Sequence, residues 1–157
     1  MGGNRKKDTM STVSIERFKL IPSVYLLLIA GSKILLSRRY NTGYCDGQYG
    51  LPAGHLEENE TLKQGLVREA KEEIGVALDS ADLELVHTMH RKIPNDGRVD
   101  FFFTAKKHQG EPKIMEIDKC DDLSWFEFNN LPENTIPYIR QAFAAFLKNI
   151  IYSEWEE

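Results

Sequence analysis

The chain has 157 residues, of which 41% are hydrophobic and 28% are charged, as expected for one ordinary globular domain. Its formal net charge of −4 argues against broad electrostatic attraction to nucleic acid or to an anionic membrane surface. Cys45 and Cys120 are far apart and form no CxxC pair, which argues against a disulfide framework or zinc site and favours a reduced, cytoplasmic setting.

The N-terminal segment is basic but has no apolar stretch after its charges, so it does not resemble a signal peptide. No apolar run in the sequence approaches the roughly 18 residues of a membrane span, and we expect no membrane partner. We expect residues 1–15 to form a flexible tail and residues 16–157 to form a single domain.

The first predicted elements are strands. Residues 21–30 and 33–37 are apolar runs rich in β-branched side chains, and the Gly31-Ser32 pair between them is typical of a β-hairpin. Residues 40–49 contain the turn-forming residues of a loop. Residues 51–54 then predict a short strand that ends in a turn.

A helix is predicted over residues 60–74, where Leu62, Leu66, Ala70 and Ile74 recur at intervals of four. Gly75 follows as the expected residue in the left-handed conformation that ends a helix.

The C-terminal half predicts three strands and a second helix. The strands cover residues 83–91, 98–106 and 124–128, and the helix covers residues 136–151, with an apolar stripe of Ile139, Phe143, Phe146 and Ile150. Locally paired strands mixed with two long helices predict the α/β class, with an α/β/α sandwich around a mixed β-sheet.

Three carboxylates, Glu69, Glu72 and Glu73, share one face of the first predicted helix because they are spaced i, i+3 and i+4. Like charges at this spacing repel by roughly 0.2–0.5 kcal/mol even when exposed, and the C-terminal end of a helix disfavours anions. A divalent cation would reverse both effects, and carboxylate oxygens suit Mg²⁺, with Mn²⁺ as a substitute. For an isolated cluster of this kind, the alternative is a solvated acidic face.

The cluster belongs to a longer pattern. Gly54 is followed after five residues by Glu60, after seven more by Arg68-Glu69, and then by Glu72-Glu73, Gly75 and an aliphatic Val76. This segment resembles the Nudix box at every defining position. The resemblance implies a Nudix fold over roughly residues 21–147 and Mg²⁺-dependent hydrolysis of a diphosphate bond.

The resemblance also implies roles for the residues of the box. The carbonyl of Gly54 and the side chains of Glu69, Glu72 and Glu73 would hold the metal, with Gly54 expected to use the conformational freedom of glycine to turn its carbonyl toward it. Arg68 would form a bidentate pair with Glu60, and we count both among the catalytic residues. One of the carboxylates, or an acidic residue outside the box, would deprotonate the attacking water.

Four residues outside the box are candidates for substrate binding: Arg38, Arg39, Tyr49 and Asp121. Arg38 and Arg39 end a strand, so an alternating strand would point one of them at the site; the alternative is a surface arginine. Tyr49, like Tyr40 and Tyr44, could stack on a base, or could pack against the sheet.

Asp121 is one of four acidic residues, with Glu116, Asp118 and Asp122, that precede Trp125-Phe126. Many Nudix enzymes place an acidic metal ligand, general base or base-binding group before a similar pair. The sequence does not distinguish among the four, and a solvated acidic loop is the alternative.

The resemblance implies a small nucleoside diphosphate linked to a group X as substrate, and we favour a nucleoside triphosphate, including oxidised forms, cleaved to monophosphate and pyrophosphate. The alternatives are an ADP-ribose or sugar-nucleotide pyrophosphatase and a noncatalytic Nudix-like nucleotide-binding module. We expect no nucleic-acid polymer as partner, because the acidic balance provides no RNA-binding track. Analogy with relatives leaves a homodimer open.

Overall fold

A computed structural model describes residues 17–157, and the tail predicted for residues 1–15 lies outside them. Within the described range, the elements in chain order are β1 (Ile21–Leu27), β2 (Ile29–Ala30), β3 (Lys33–Arg39), β4 (Tyr49–Gly50), β5 (Ala53–His55), α1 (Leu62–Ile74), β6 (Leu83–Lys92), β7 (Arg98–Ala105), β8 (Cys120–Glu127), α2 (Pro137–Leu147) and β9 (Tyr152–Glu156). No helix in this range is long and apolar enough to cross a membrane.

The strands form two sheets. The larger has the order β5-β1-β7-β6-β9, in which β1 pairs with β7 and β6 with β9 in parallel, while β1–β5 and β6–β7 are antiparallel. The smaller sheet joins β2, β3 and β4, and β8 pairs with β3. The predicted α/β class with a mixed sheet is confirmed.

The two helices pack on opposite faces of the large sheet because β1 is buried on both sides. Val24 and Leu26 lie in one core cluster with Leu66 of α1, whereas Tyr25 lies in the other with Ile139 of α2. Each fully buried aliphatic side chain of this kind contributes about 1.5–3 kcal/mol of burial free energy. The strand alternation therefore supplies a separate hydrophobic face for each helix.

The predicted hairpin is confirmed at its tip and wrong for most of its first strand. Ile29 and Ala30 pair with β3, and the amide of Leu35 donates to the carbonyl of Leu28 at 3.0 Å. Residues before Leu28 instead belong to the large sheet, where β1 pairs with β5 and β7. One apolar run thus supplies strands to both sheets.

The first helix starts two residues later than predicted. Thr61 is its N-cap and forms a capping box with Gln64, in which each side chain accepts a hydrogen bond from the other residue's backbone amide. At the other end, Gly75 has φ 71°, which confirms the predicted left-handed residue.

The second helix is shorter than predicted, and the strand after it was missed. It ends at Leu147, and Asn149 with φ 54° turns the chain away from the helix. Ile150, predicted in the apolar stripe, lies beyond the helix and is 45% exposed. The chain continues into β9, which pairs in parallel with β6. Strand β8 also begins at Cys120, earlier than the predicted residue 124.

Candidate active site

A bidentate ion pair joins the loop before α1 to the helix. Arg68 donates from Nε to Glu60 Oε1 at 2.7 Å and from Nη2 to Glu60 Oε2 at 2.9 Å, as the sequence predicts. Glu60 Oε2 also accepts from the amide of Glu57 at 2.9 Å. Hydrogen bonding to Arg68 lowers the pKa of Glu60 to about 2. The pair fixes the position of Arg68 on the helix.

The same guanidinium reaches two of the helix carboxylates. Nη1 of Arg68 donates to Glu69 Oε1 at 2.7 Å and to Glu72 Oε2 at 3.2 Å, while Nη2 donates to the carbonyl of His55 at 3.0 Å. The side chain of Glu69 is 14% exposed and that of Glu72 is 53% exposed. Arg68 therefore orients one enclosed and one accessible carboxylate, and ties both to strand β5.

Glu73 occupies the most enclosed position of the three. Its Oε2 accepts from the backbone amide of Ala53 at 2.9 Å, and burial raises its pKa to about 8. Burial also raises the pKa of Glu69. Burial is the largest cause of both shifts, and the hydrogen bonds from Arg68 to Glu69 and from the Ala53 amide to Glu73 offset it only in part.

Gly54 lies directly against the carboxylate of Glu69. A Cβ atom at this position would lie 2.0 Å from both Cδ and Oε1 of Glu69. Its φ lies outside the left-handed region, so no left-handed backbone conformation requires a glycine here, and the turn of its carbonyl toward a metal stays a prediction. The absent side chain lets the Glu69 carboxylate lie against β5.

These oxygen donors match the chemistry of a hard divalent cation. Among residues 17–157, no group of three or more His, Cys, Asp or Glu side chains has the arrangement of a preformed metal site, and Arg68 is the cation that Glu69 and Glu72 contact. Carboxylate and carbonyl oxygens are nevertheless the ligands that Mg²⁺ prefers. The partly buried carboxylates of Glu69 and Glu73 suit such an ion.

A cavity of about 620 Å³ runs from these carboxylates along β5, which is within the usual size range of ligand pockets. Arg38 and Arg39 both line it, although strict alternation predicts that one of them points away. In the pairing of β3 with β8, Arg38 pairs with Asp122 and Arg39 with Cys120, so the extra residue at this register shift is Asp121 on β8. Arg39 is held by Tyr44, whose carbonyl accepts from Nε at 2.7 Å.

Two of the predicted substrate contacts lie outside the cavity lining. Tyr49 is 9% exposed, packs edge-on against Phe126 and donates from its hydroxyl to Asp122 at 2.5 Å. Asp121 forms an ion pair with Arg38 at 2.7 Å on the neighbouring strand. The structure therefore gives Tyr49 a packing position and gives Asp121 a contact with a lining residue.

Of the four acidic candidates before Trp125-Phe126, Glu116 lines the cavity. Its carboxylate accepts from Lys119 Nζ, another lining residue, at 3.0 Å. Asp118 and Asp122 are outside the lining. Glu116 thus faces the same space as the helix carboxylates.

The sequence reasoning missed one end of the cavity, which is lined by Ser23, Tyr25, Arg91, Arg98 and Tyr138. One signal was present: Arg91 lies two residues after the apolar Met89 on β6, so the two share a face and a strand prediction places a charged side chain on the inner face. A buried charge of this kind needs a partner.

The comparisons agree with this geometry. The NUDIX domain model matches residues 19–146. The NAD-capped RNA hydrolase NudC of Pseudomonas aeruginosa is 32% identical over 114 residues, covering 73% of this chain and 38% of that protein. The protein of the same name from Stutzerimonas stutzeri is 28% identical and covers 82% of this chain and 43% of its own length. The chain thus spans about two fifths of the length of these curated relatives.

Solved structures are similar across most of the chain. The MutT NUDIX hydrolase of Burkholderia pseudomallei has a TM-score of 0.74 at 25% identity, covering 81% of this chain and 98% of that one. The MutT protein of Methanosarcina mazei has a TM-score of 0.70 at 23% identity, covering 82% and 94%; this second likeness concerns the fold alone.

Proposed function

The chain belongs to the Nudix family, and on that premise we propose that it is a Mg²⁺-dependent hydrolase of a diphosphate bond in a small nucleotide-type substrate. The observation that supports this most directly is the set of Glu69, Glu72 and Glu73, which all line one cavity of about 620 Å³. A module that merely bound a nucleotide would not need three carboxylates beside the ligand, because they repel its phosphates.

The residues that would hold the metal are Glu69, Glu72 and Glu73 with the carbonyl of Gly54. When bound, Mg²⁺ supplies charge neutralisation for the diphosphate and lowers the pKa of a bound water molecule; Mn²⁺ can substitute for it. Arg68 orients Glu69 and Glu72 through Nη1. The amide of Ala53 holds Glu73 at the enclosed end of the row.

Cationic side chains on the other walls would bind the phosphates. Arg39 and Lys119 both line the cavity, and Arg39 is anchored through Nε and Nη2 to residues 42–44 of its own loop. An anchored guanidinium loses less conformational entropy when it binds a phosphate. We therefore assign Arg39 to phosphate binding.

We propose a nucleoside triphosphate, cleaved to a monophosphate and pyrophosphate, as the first substrate class. The cavity volume suits a single nucleotide, and the net charge of −4 disfavours an RNA polymer. A second class is a dinucleotide pyrophosphate of the NAD type, which is favoured by the similarity to proteins named NAD-capped RNA hydrolases.

The test is a panel of nucleoside triphosphates, ADP-ribose and NAD, incubated with and without Mg²⁺, with products separated by anion-exchange chromatography. We expect metal-dependent cleavage of at least one compound. The Glu72→Gln, Glu73→Gln double variant should lose activity by orders of magnitude while remaining folded. Glu84→Gln is the matched control, because Glu84 is exposed on β6 and outside the cavity lining. Tight nucleotide binding without cleavage of any compound would favour a noncatalytic module instead.

A further inference from the structure

The cavity continues past the edge strand β5 to the opposite face of the large sheet. Gly54 contacts Glu69 on the α1 side, whereas Ala53, the residue before it in β5, packs with the α2 cluster. Ser23 and Arg91 line the cavity on this second side. They lie in different strands, β1 and β6, and are 3% and 1% exposed.

Arg91 is buried with its charge paired but its hydrogen bonds incomplete. Its Nε donates to Asp100 Oδ2, and its Nη2 makes long contacts of 3.4 Å to Asp100 Oδ1 and to the hydroxyl of Tyr25. Nη1 approaches Glu157 at 4.0 Å, which is beyond hydrogen-bond distance. Within the described residues, the guanidinium therefore has donor capacity to spare on Nη1.

Ser23 has a hydroxyl without a partner. Its Oγ is buried and makes no hydrogen bond to any residue of the described chain. A buried hydroxyl in this state destabilises the fold. Its cross-strand neighbours, His55 on β5 and Asp100 on β7, place it in the same polar end of the cavity as Arg91.

We propose that Ser23 and Arg91 form a recognition site for a carbonyl oxygen on the ring of the substrate, at the end away from the diphosphate. The inference rests on the proposed function for the identity of the substrate as a nucleotide. The ligand class is a nucleotide whose ring carries an exocyclic carbonyl or carboxamide, and a ring with an amino group in that place is discriminated against. Ser23 and Arg91 are thus specificity-determining residues.

A neutral acceptor fits this end of the cavity better than a second phosphate. The charge of Arg91 is already compensated by Asp100, which is fully buried. Glu157, which also lines the cavity, would repel an anion beside Nη1. A carbonyl oxygen accepts hydrogen bonds without adding charge, whereas an amino group would face the donor-only guanidinium and leave it unpaired.

The test measures binding without added metal, so that it does not depend on hydrolysis. Dissociation constants are determined by isothermal titration calorimetry for inosine monophosphate and adenosine monophosphate, which carry the same phosphate and differ in a ring carbonyl against an amino group. We expect inosine monophosphate to bind roughly tenfold more tightly. Uridine and nicotinamide mononucleotides, measured alongside, distinguish a ring carbonyl from a carboxamide as the preferred source of the oxygen.

Ser23→Ala assigns the preference to the site. The variant should reduce the inosine-to-adenosine ratio severalfold, and it should keep or raise the melting temperature because it removes an unpartnered hydroxyl. Ser153→Ala is the matched control: Ser153 is hydrogen-bonded to His87 and lies outside the cavity lining. It should lower the melting temperature and leave the ratio unchanged.

Two results would overturn the inference: equal affinity of the wild-type protein for all four monophosphates, or an unchanged ratio in Ser23→Ala. Selective binding of the carbonyl-bearing monophosphates without metal-dependent cleavage of any substrate would contradict the proposed hydrolase activity but would still support the recognition site. Cleavage without base selectivity would contradict the recognition site alone.

Discussion

Substitution of Gly54 by alanine separates the chemistry of the site from the stability of the fold. The added Cβ would lie 2.0 Å from the Glu69 carboxylate, and ordinary contact requires a displacement of about 1.4 Å. The flexible end of Glu69 can move by this amount without disturbing the backbone. The change is therefore concentrated in the position of one proposed metal ligand.

The magnitudes follow from that displacement. A shift of about 1 Å in a reacting group can reduce the rate about 100-fold, so we expect kcat/KM to fall by about two orders of magnitude. The cost in stability is small, because the weakened contact of Glu69 with Arg68 Nη1 is worth about 0.5–1.5 kcal/mol. Replacing glycine in a strand offsets roughly 0.5–1 kcal/mol of this loss.

The assay is steady-state hydrolysis of the best substrate of the panel, together with thermal unfolding of the same preparations. A double-mutant cycle with Glu69→Ala tests whether Gly54→Ala acts through the Glu69 carboxylate. Once that carboxylate is absent, Gly54→Ala should cause little further loss of kcat/KM. If Gly54→Ala retains wild-type kcat/KM, or if the two losses multiply independently, the steric argument is refuted.

Three further predictions concern stability. Thr61→Ala removes the N-cap of α1 and should cost about 1 kcal/mol, lowering the melting temperature by about 2–4 °C with kcat unchanged in the hydrolysis assay. Glu60→Gln should destabilise the protein most at pH values above 4.5, the ordinary pKa of this carboxyl group. Because Arg68 lowers the folded-state pKa of Glu60 to about 2, the difference in melting temperature between the variant and the wild type should vanish as the pH falls toward that value. A difference that does not change with pH would contradict the pairing. Asp100→Asn leaves the charge of Arg91 buried without its counter-ion and should cost about 3–5 kcal/mol in urea unfolding, and a near-neutral result would show that Arg91 can reach solvent.

The parts of the site that were predictable from sequence are those set by local spacing. A helix places Glu69, Glu72 and Glu73 together whatever surrounds it, and the pairing of Arg68 with Glu60 follows from the box as a whole. The capping box at Thr61 was also available as a local signal.

The remainder depends on tertiary pairing. The apolar run over residues 21–30 shows no break in composition at Leu28, where the chain leaves one sheet for the other. Strand β9 carries exposed polar side chains and is defined by its partner β6. Ser23 on β1 and Arg91 on β6 line the same cavity although β7 lies between their strands, and this placement is not encoded in either strand alone.

Strand β5 connects the two ends of the cavity through its own alternation. Gly54 faces Val24 in the register and contacts a carboxylate of α1, whereas His55 faces Ser23 at the recognition end. A slip of one residue would exchange these faces, placing the imidazole toward Glu69 and removing the glycine that this carboxylate requires. Arg68 opposes such a slip, because it binds the carbonyl of His55 while holding Glu60, Glu69 and Glu72. The residue that orders the carboxylates therefore also fixes the register on which the proposed recognition of the base depends.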